Sequence, residues 1–177
     1  MEFMDVIKKR RSIRKFKDKK ISNELIEKMI DAARWAPSGM NAQPWQFIAI
    51  KDKDNLKQVR EMYTYGREYL KIYAQDTSFV ENGIIILVLA SKATPWAKSD
   101  CYLAIQNILL AATDLGLGSL LMGAMMVPEN LSKLMAMCKI DPNYEVLMPI
   151  AIGYADEDPK TPEKKAVRDI LHYEIFR

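Results

Sequence analysis

The sequence is poor in the residues that most often carry protein-based catalysis and cross-linking. Its 177 residues include two cysteines and one histidine, His172, which lies in an apolar-alternating stretch near the C-terminus where a structural role is commoner. Cys101 and Cys138 fit no zinc-ligand spacing, so we expect two reduced thiols that pack in the interior. Hydrolase motifs such as G-x-S-x-G and H-E-x-x-H are absent. An enzyme with this composition is therefore expected to borrow its reactive group from a cofactor and to hold no metal.

Long hydrophobic runs are missing as well. The longest candidate, GIIILVLA at residues 83–90, has the length of a buried strand and is too short to cross a membrane. The N-terminus lacks the apolar core and the small-residue cleavage site of a signal peptide. We therefore expect a cytoplasmic protein with no membrane partner. The chain length predicts a single domain over residues 1–177.

Positive charge is concentrated in one place. Residues 8–20 carry nine lysines and arginines and one acid, Asp18, whereas the whole chain has a net charge of only +3. The rest of the chain is therefore acidic, which argues against a polyanion as the partner. By composition, the stretch KKRRSIRKF at residues 8–16 (the basic segment) is a solvated helix end, a site for a small phosphate-bearing molecule, or a contact for nucleic acid or membrane.

Hydrophobic periodicity predicts a helix-covered sheet of the α+β class. Helices are expected at about residues 2–10, 22–35, 55–73, 99–116 and 128–138, and strands at 47–50, 84–90, 119–123 and 146–154. Ser22 is the predicted N-cap of the second helix, and Ser99 or Asp100 that of the fourth, which should end at Gly116. The continuous apolar run at 84–90 indicates a central strand that is covered on both faces.

A second informative segment is APSGMNAQPWQF at residues 36–47. Small residues, two prolines and two side-chain amides can bring backbone and amide donors close to a planar polar ring. The alternative is a proline-rich turn that places Trp45 in the core. The dinucleotide-binding fingerprint is absent, because GLGSLLMG contains G-x-G but lacks the third glycine and does not open a helix after a strand.

Four motifs occur in a characteristic order: RRSIRKF, WAPSGMNAQPWQFI, AIQNILLAATDLGLGSLLMG and PIAIGYADEDP. Together they resemble the FMN-dependent nitroreductase family over about residues 3–177. The resemblance implies a mixed, mainly antiparallel sheet wrapped by helices, in an α+β fold. It also implies an intertwined homodimer with two FMN sites at the subunit interface. Residues 166–177 would form a C-terminal arm that crosses to the partner subunit.

The resemblance also implies roles for individual residues. Arg10, Arg11 and Ser12 would hold the FMN phosphate and ribityl chain, and Arg14 would lie near the N1/O2 edge of the flavin. Backbone amides of Met122 and Gly123 would approach N5. The remaining implied contacts are, from a loop of the other subunit, Pro37, Ser38, Gly39 and Asn41, and, near the phosphate, Lys164 and Lys165. Gly39 stands where many relatives have serine.

The implied reaction is a ping-pong transfer of hydride from NAD(P)H through FMN to an electron-poor acceptor, such as a nitroaromatic or a quinone. No protein nucleophile is needed, which agrees with the missing motifs. Residues 60–80 and residues near 95–98 are expected to shape the acceptor side. The alternatives are other flavin chemistry, such as reductive dehalogenation or ring oxidation, and a flavin-binding module without turnover. Nucleic-acid binding through residues 8–20 is the remaining function class.

Overall fold

The computed structural model describes residues 1–72 and 76–176. In this part of the chain the helices are α1 (Phe3–Lys9), α2 (Asn23–Arg34), α3 (Lys53–Tyr69), α4 (Ala97–Asp114) and α5 (Pro128–Met137). The strands are β1 (Trp45–Ile50), β2 (Ile84–Ser91), β3 (Gly118–Leu121), β4 (Tyr144–Val146) and β5 (Ile150–Gly153). The predicted helix end at Tyr73 and the last residue of the arm, Arg177, lie outside the described residues.

The strands form one antiparallel sheet in the order β1-β2-β5-β3, with β4 beside β2. The predicted continuous strand at 146–154 is wrong, because residues 147–149 are not in strand conformation and separate β4 from β5. Pro149 at this break has no N–H for a ladder hydrogen bond. The Leu147 N–H still donates to the Val88 carbonyl over 2.9 Å, so both short strands stay attached to β2.

The central strand β2 separates two hydrophobic clusters. Its alternate residues Ile84, Ile86, Val88 and Ala90 pack with α2 and α4, whereas Ile85, Leu87 and Leu89 pack with α3 and α5. Seven of its eight residues are buried. The prediction of a central strand covered on both faces is therefore confirmed, and so is the α+β class.

The structure confirms the predicted start of α2 and the predicted end of α4, but not the predicted start of α4. The Ser22 hydroxyl accepts the Leu25 N–H over 3.3 Å, so the predicted N-cap of α2 is confirmed. Gly116 follows α4 with a φ of 76°, which confirms the predicted stop. The predicted start of α4 is wrong: the helix begins at Ala97, whose N–H donates to the Thr94 carbonyl of the preceding turn over 3.3 Å. Asp100 consequently lies inside the first turn.

The C-terminal arm, residues 166–176 as described, has little regular structure. A short 3₁₀ turn covers Val167–Asp169. Its large apolar side chains are exposed, namely Val167, Ile170, Leu171, Tyr173, Ile175 and Phe176. An arm of this kind buries little of its apolar surface within its own chain. Among the described helices, none has the length and apolar character required to span a bilayer.

Candidate functional site

The basic segment is held against the sheet by two apolar anchors. Ile13 and Phe16 are buried, and the Ile13 N–H donates to the Ser119 carbonyl of β3 over 3.0 Å. Two glycines permit this close approach. A Cβ on Gly118 would lie 2.8 Å from Ile13, and one on Gly153 would lie 2.4 Å from Phe16. The cations of the segment are therefore presented from a fixed backbone.

Arg11 is largely engaged with the protein itself. Its Nη1 donates to the carbonyls of Lys8 and Arg10 over 2.8 and 2.9 Å, and its Nη2 donates to the Thr161 hydroxyl over 2.7 Å. The Nε–H is buried and has no partner in residues 1–72 or 76–176. Arg11 thus satisfies carbonyls at the C-terminal end of α1 and ties that end to the chain that leads into the arm.

Arg10, Ser12 and Arg14 are differently placed. Arg10 and Ser12 are half-buried, and within the described residues no hydrogen bond engages the Arg10 guanidinium or the Ser12 hydroxyl. Arg14 is exposed, and its Nη1 donates to the Ser12 carbonyl over 3.2 Å. The Arg14 backbone N–H donates to the Glu157 carboxylate. Arg10 and Ser12 therefore keep their donors available for an anion.

The turn after β3, Gly123–Met126, carries the two predicted amides. The Met122 N–H donates to the Pro149 carbonyl over 2.8 Å. Gly123 is exposed, its N–H has no protein acceptor among the described residues, and a Cβ on it would meet nothing within 4 Å. Ser119, which pairs with Ser12, precedes Gly123 by four residues, a chain length of at most about 14 Å. One chain thus brings the basic segment and the Gly123 amide to the same region.

Asn130 of α5 supports this turn from behind. It is fully buried, and its Nδ2 donates to the Met62 carbonyl of α3 over 2.7 Å and to the Ala124 carbonyl over 3.3 Å. A Cβ on Gly66 of α3 would lie only 1.8 Å from the Ala124 oxygen. The turn therefore rests directly on α3 and α5. Sequence reasoning missed Asn130, because a single asparagine in a helix carries no motif.

Residues 37–43, here named the proline loop, contain the predicted contacts Pro37, Ser38, Gly39 and Asn41. Pro37 and Asn41 are exposed, and Ser38 and Gly39 are half-buried. The Ser38 hydroxyl accepts the Gln43 N–H over 3.0 Å, which closes the loop on itself. Ser38, a predicted flavin contact, therefore also stabilises the conformation of its own loop.

Helix α4 sets the distance between the two groups of predicted residues. The Gly39 N–H donates to the Asp100 carboxylate over 3.1 Å at one end of α4. Thr113, at the other end of α4, lines a cavity of about 170 Å³ together with Arg11 of the basic segment. The helical rise between Asp100 and Thr113 amounts to about 20 Å. The proline loop and the basic segment of one chain therefore lie at opposite ends of this helix.

Lys164 and Lys165 are exposed near the start of the arm. Neither lysine forms an ion pair within the described residues. Thr161, which Arg11 binds, precedes Lys164 by a chain length of at most about 10 Å. The contact between Arg11 and Thr161 thus brings these lysines into the neighbourhood of the basic segment.

Other reactive groups offer little chemistry. Among the described residues, no group of His, Cys, Asp and Glu is arranged to hold a metal ion. Cys101 and Cys138 are free thiols. Burial raises the pKa of the Cys101 thiol to about 12 and also raises the pKa of Cys138, so both thiols stay protonated near neutral pH. The His172 ring packs against Phe176 at 4.5 Å.

A groove of about 590 Å³ lies between α3 and α5. It is lined by Gln58, Glu61, Met62, Tyr65, Lys133, Ala136 and Met137. The Tyr65 hydroxyl is hydrogen-bonded to Glu129, which raises the pKa of Tyr65, and Lys133 lowers the pKa of Glu129. These contacts belong to an exposed network between helices. The predicted site is instead an open surface at the edge of the sheet.

Comparisons with known proteins agree with the motifs. The sequence profile of the nitroreductase family matches residues 7–154. An Archaeoglobus fulgidus protein provisionally named NADH dehydrogenase/NAD(P)H nitroreductase is 35% identical over 162 residues, which cover 89% of this chain and 87% of that protein. Iodotyrosine deiodinase from Thermotoga neapolitana is 28% identical over 188 residues, which cover 97% of each protein.

Solved structures are similar over nearly the whole chain. An FMN-dependent nitroreductase from Clostridium difficile R20291 is 29% identical, with a TM-score of 0.82 and coverage of 98% of this chain and 99% of that one. An oxidised iodotyrosine deiodinase bound to FMN and 3-iodo-L-tyrosine is 26% identical, with a TM-score of 0.83 and coverage of 98% and 100%. The motif order, the profile match and the shared fold together confirm the resemblance: the chain belongs to the nitroreductase family.

Proposed function

We propose that this chain is an FMN-dependent oxidoreductase that uses NAD(P)H to reduce electron-poor acceptors such as nitroaromatics or quinones. FMN, when bound, would supply the hydride-accepting and electron-donating chemistry that the side chains lack. The observation that carries the proposal is the placement of Ser12 and Gly123. The Ser12 hydroxyl and the Gly123 N–H have no protein partner among the described residues. Ser119, the bridge partner of Ser12, precedes Gly123 by a chain length of at most about 14 Å.

The residues of the basic segment fit a phosphate. Arg10 and Ser12 are half-buried, carry donors with no protein acceptor among the described residues, and combine a planar guanidinium with a hydroxyl. Arg11 acts mainly by fixing the end of α1 to Thr161, which holds Arg10 and Ser12 in place. Lys164 and Lys165 add positive charge to the same end of the site.

Near the proposed position of the flavin ring, one backbone amide is free to donate a hydrogen bond. The Met122 N–H already donates to the Pro149 carbonyl, so Gly123 offers the donor for the flavin N5. The open space beside Gly123 leaves room for a flat ring to approach the backbone. Arg14 would hold a positive charge near the N1/O2 edge, where negative charge accumulates during reduction.

A homodimer completes the proposed site. The proline loop lies about 20 Å from the basic segment along α4, so the loop of a second subunit would supply Ser38, Gly39 and Asn41. Apolar side chains without cover are available for the interface, since Phe3 is 68% exposed and Tyr102 and Leu103 are 44% and 46% exposed. The exposed arm would reach across the partner subunit.

A second flavin reaction is favoured by specific relatives. The deiodinases compared above match nearly the whole chain, so reductive dehalogenation of an aromatic substrate is the alternative acceptor chemistry. A location in the cytoplasm, where NAD(P)H is the common reductant, is part of the main proposal.

The visible spectrum of the purified protein tests the proposal. We expect a yellow protein with FMN in each subunit, bleached under anaerobic conditions by NADH or NADPH and recoloured by a nitroaromatic or a quinone. Recolouring by 3-iodotyrosine, with loss of iodide, would favour the dehalogenase alternative. Bleaching without steady-state turnover would indicate a flavin-binding module.

The control is the double variant Arg10→Ala with Ser12→Ala, which should fold but lose FMN. A colourless wild-type protein that takes up no FMN contradicts the proposal. If such a protein binds duplex DNA with an affinity that falls steeply with salt, nucleic-acid binding through residues 8–20 replaces it.

A further inference from the structure

Asp100 has a buried carboxylate that accepts a backbone N–H from a segment distant in sequence. It is 7% exposed, and its Oδ2 accepts the Gly39 N–H over 3.1 Å. A buried carboxylate is destabilising unless hydrogen bonds or charges compensate it. Asp100 has no ion pair within the described residues, but it lies in the first turn of α4, where the helix dipole favours an acid. The helix end and the Gly39 amide therefore stabilise this charge.

The proline loop has a strained backbone. Met40, Asn41 and Gln43 have φ values of 53°, 54° and 46°. Residues other than glycine adopt this left-handed region rarely and at a cost. Such a conformation persists only where the surroundings hold it. The loop therefore depends on its anchors for its shape.

Most of the loop's hydrogen bonds are internal. The Ser38 carbonyl accepts the Asn41 N–H over 3.0 Å, and the Ser38 hydroxyl accepts the Gln43 N–H over 3.0 Å. These bonds give the loop its local shape but not its position in the molecule. Within the described residues, the Gly39–Asp100 bond is the one hydrogen bond that joins residues 37–43 to a helix.

Trp96 closes the same contact from one side. Its ring would lie 3.5 Å from a Cβ on Gly39, while Asp100 Oδ2 would lie at 3.9 Å. Gly39 thus packs against Trp96 and Asp100 at the N-terminal end of α4. The ring limits where the loop can move, and the carboxylate fixes the direction of the Gly39 N–H.

We propose that Asp100 is the positioning residue of the cofactor site: its carboxylate fastens the proline loop so that the loop can contact FMN held by the partner subunit. This assignment rests on the proposed function for its ligand, but the fastening itself is a property of the chain without FMN. Asp100 touches neither cofactor nor substrate. It acts through the Gly39 amide, and its loss frees the loop to relax.

The test compares Asp100→Leu and Asp100→Ala, which lack the acceptor, with Asp100→Asn, which keeps a side-chain oxygen. Ser99→Ala is the matched control, because the neighbouring Ser99 is exposed and its hydroxyl donates only to the Trp96 carbonyl over 3.2 Å. Three quantities are measured: the FMN dissociation constant, the visible circular dichroism of bound FMN, and amide hydrogen exchange at residues 38–43 in the FMN-free protein.

Loss of the acceptor is expected to raise the FMN dissociation constant by roughly tenfold or more, since hydrogen bonds to charged groups are among the stronger ones. Loop exchange should accelerate, and the flavin dichroism should change, while the melting temperature of the FMN-free protein moves little. Asp100→Asn should lie closer to the wild type, and Ser99→Ala should match it. Should one acceptor-free variant fail to fold, the other carries the comparison.

Unchanged loop exchange in a folded acceptor-free variant overturns the proposal. So does wild-type FMN affinity in a variant whose loop exchanges faster, because the fastening would then have no consequence for the cofactor. A wild-type protein that binds no FMN is a different failure: it refutes the proposed function, and the exchange data still decide whether Asp100 fastens the loop.

Discussion

At the scale of single residues, neighbouring cations in the basic segment have unlike surroundings. Arg11 donates to carbonyls at the end of α1 and to the Thr161 hydroxyl. Arg14 is exposed, and its Nη1 donates to the Ser12 carbonyl. Lys15 is exposed and its ammonium has no partner in the described part of the chain. Equal charge therefore does not mean equal function, and Arg14 is the cation proposed to act on the flavin.

Replacing Arg14 tests that role. In Arg14→Ala, we expect FMN binding to persist but the midpoint potential of the flavin to fall, because a nearby guanidinium stabilises the more negative, reduced state. Lys15→Ala removes the same charge one residue away and should leave the potential unchanged. Anaerobic reductive titration against a reference dye measures both variants. Equal potentials in wild type and Arg14→Ala would exclude Arg14 as a tuner of the ring.

At the scale of elements, the backbone of α3 at Gly66 packs directly against the backbone of the turn Gly123–Met126. Gly66 is buried in the last turn of α3, and the Ala124 carbonyl occupies the space that a side chain would need. Asn130 bridges the same two elements through its amide. The position of the proposed N5 donor is therefore determined by the packing of two helices and not by the turn alone.

Gly66→Ala is predicted to be destabilising although alanine favours helices. The helix propensity gain is at most about 1 kcal/mol. A Cβ 1.8 Å from a backbone oxygen must displace the turn, and overpacking of this kind costs about 1–3 kcal/mol or more. We expect a net loss of about 2 kcal/mol in the free energy of unfolding, measured by denaturant titration at fixed protein concentration.

The matched control is Gly123→Ala, whose new Cβ would meet nothing within 4 Å. Measured on FMN-free proteins, its stability should stay within about 0.5 kcal/mol of the wild type. A Gly66→Ala protein as stable as Gly123→Ala would show that the turn shifts without cost, and that packing against α3 does not fix the Gly123 amide.

At the scale of the whole molecule, the described chain leaves its candidate site in two halves. The basic segment and Gly123 lie along β3, whereas the proline loop lies at the far end of α4, about 20 Å away. Large apolar side chains on α1, α4 and the arm are exposed. A second copy of the chain would cover these side chains and bring the missing half to each site.

Mixed dimers test this arrangement. One variant lacks the phosphate half (Arg10→Ala with Ser12→Ala), and the other lacks the loop half (Ser38→Ala with Asn41→Ala). Each homodimer should bind FMN poorly. A heterodimer purified through two different tags should regain one intact site, and therefore about half of the wild-type FMN capacity. No recovery in the heterodimer would mean that each site is built from a single chain.

Local patterns account for most of the fold that could be predicted. The apolar run of β2, the Ser22 cap, the Gly116 stop and the start of α5 at Pro128 all depend on neighbours in sequence. The predicted family rested on the order of whole motifs, which survives where single residues vary. These features could be read from the sequence because their physical causes are local.

What the sequence alone determined is the α+β class and the family, and it also supplied the residues that we propose as cofactor contacts. Tertiary structure decided how those residues are used. The start of α4 at Ala97 turns Asp100 toward Gly39, and the break at Pro149 supplies the carbonyl that engages the Met122 amide. Both outcomes depend on partners that are distant in sequence. Buried hydrogen-bond donors and charges must find partners in the folded chain. Because these partners are distant in sequence, local sequence patterns do not predict them.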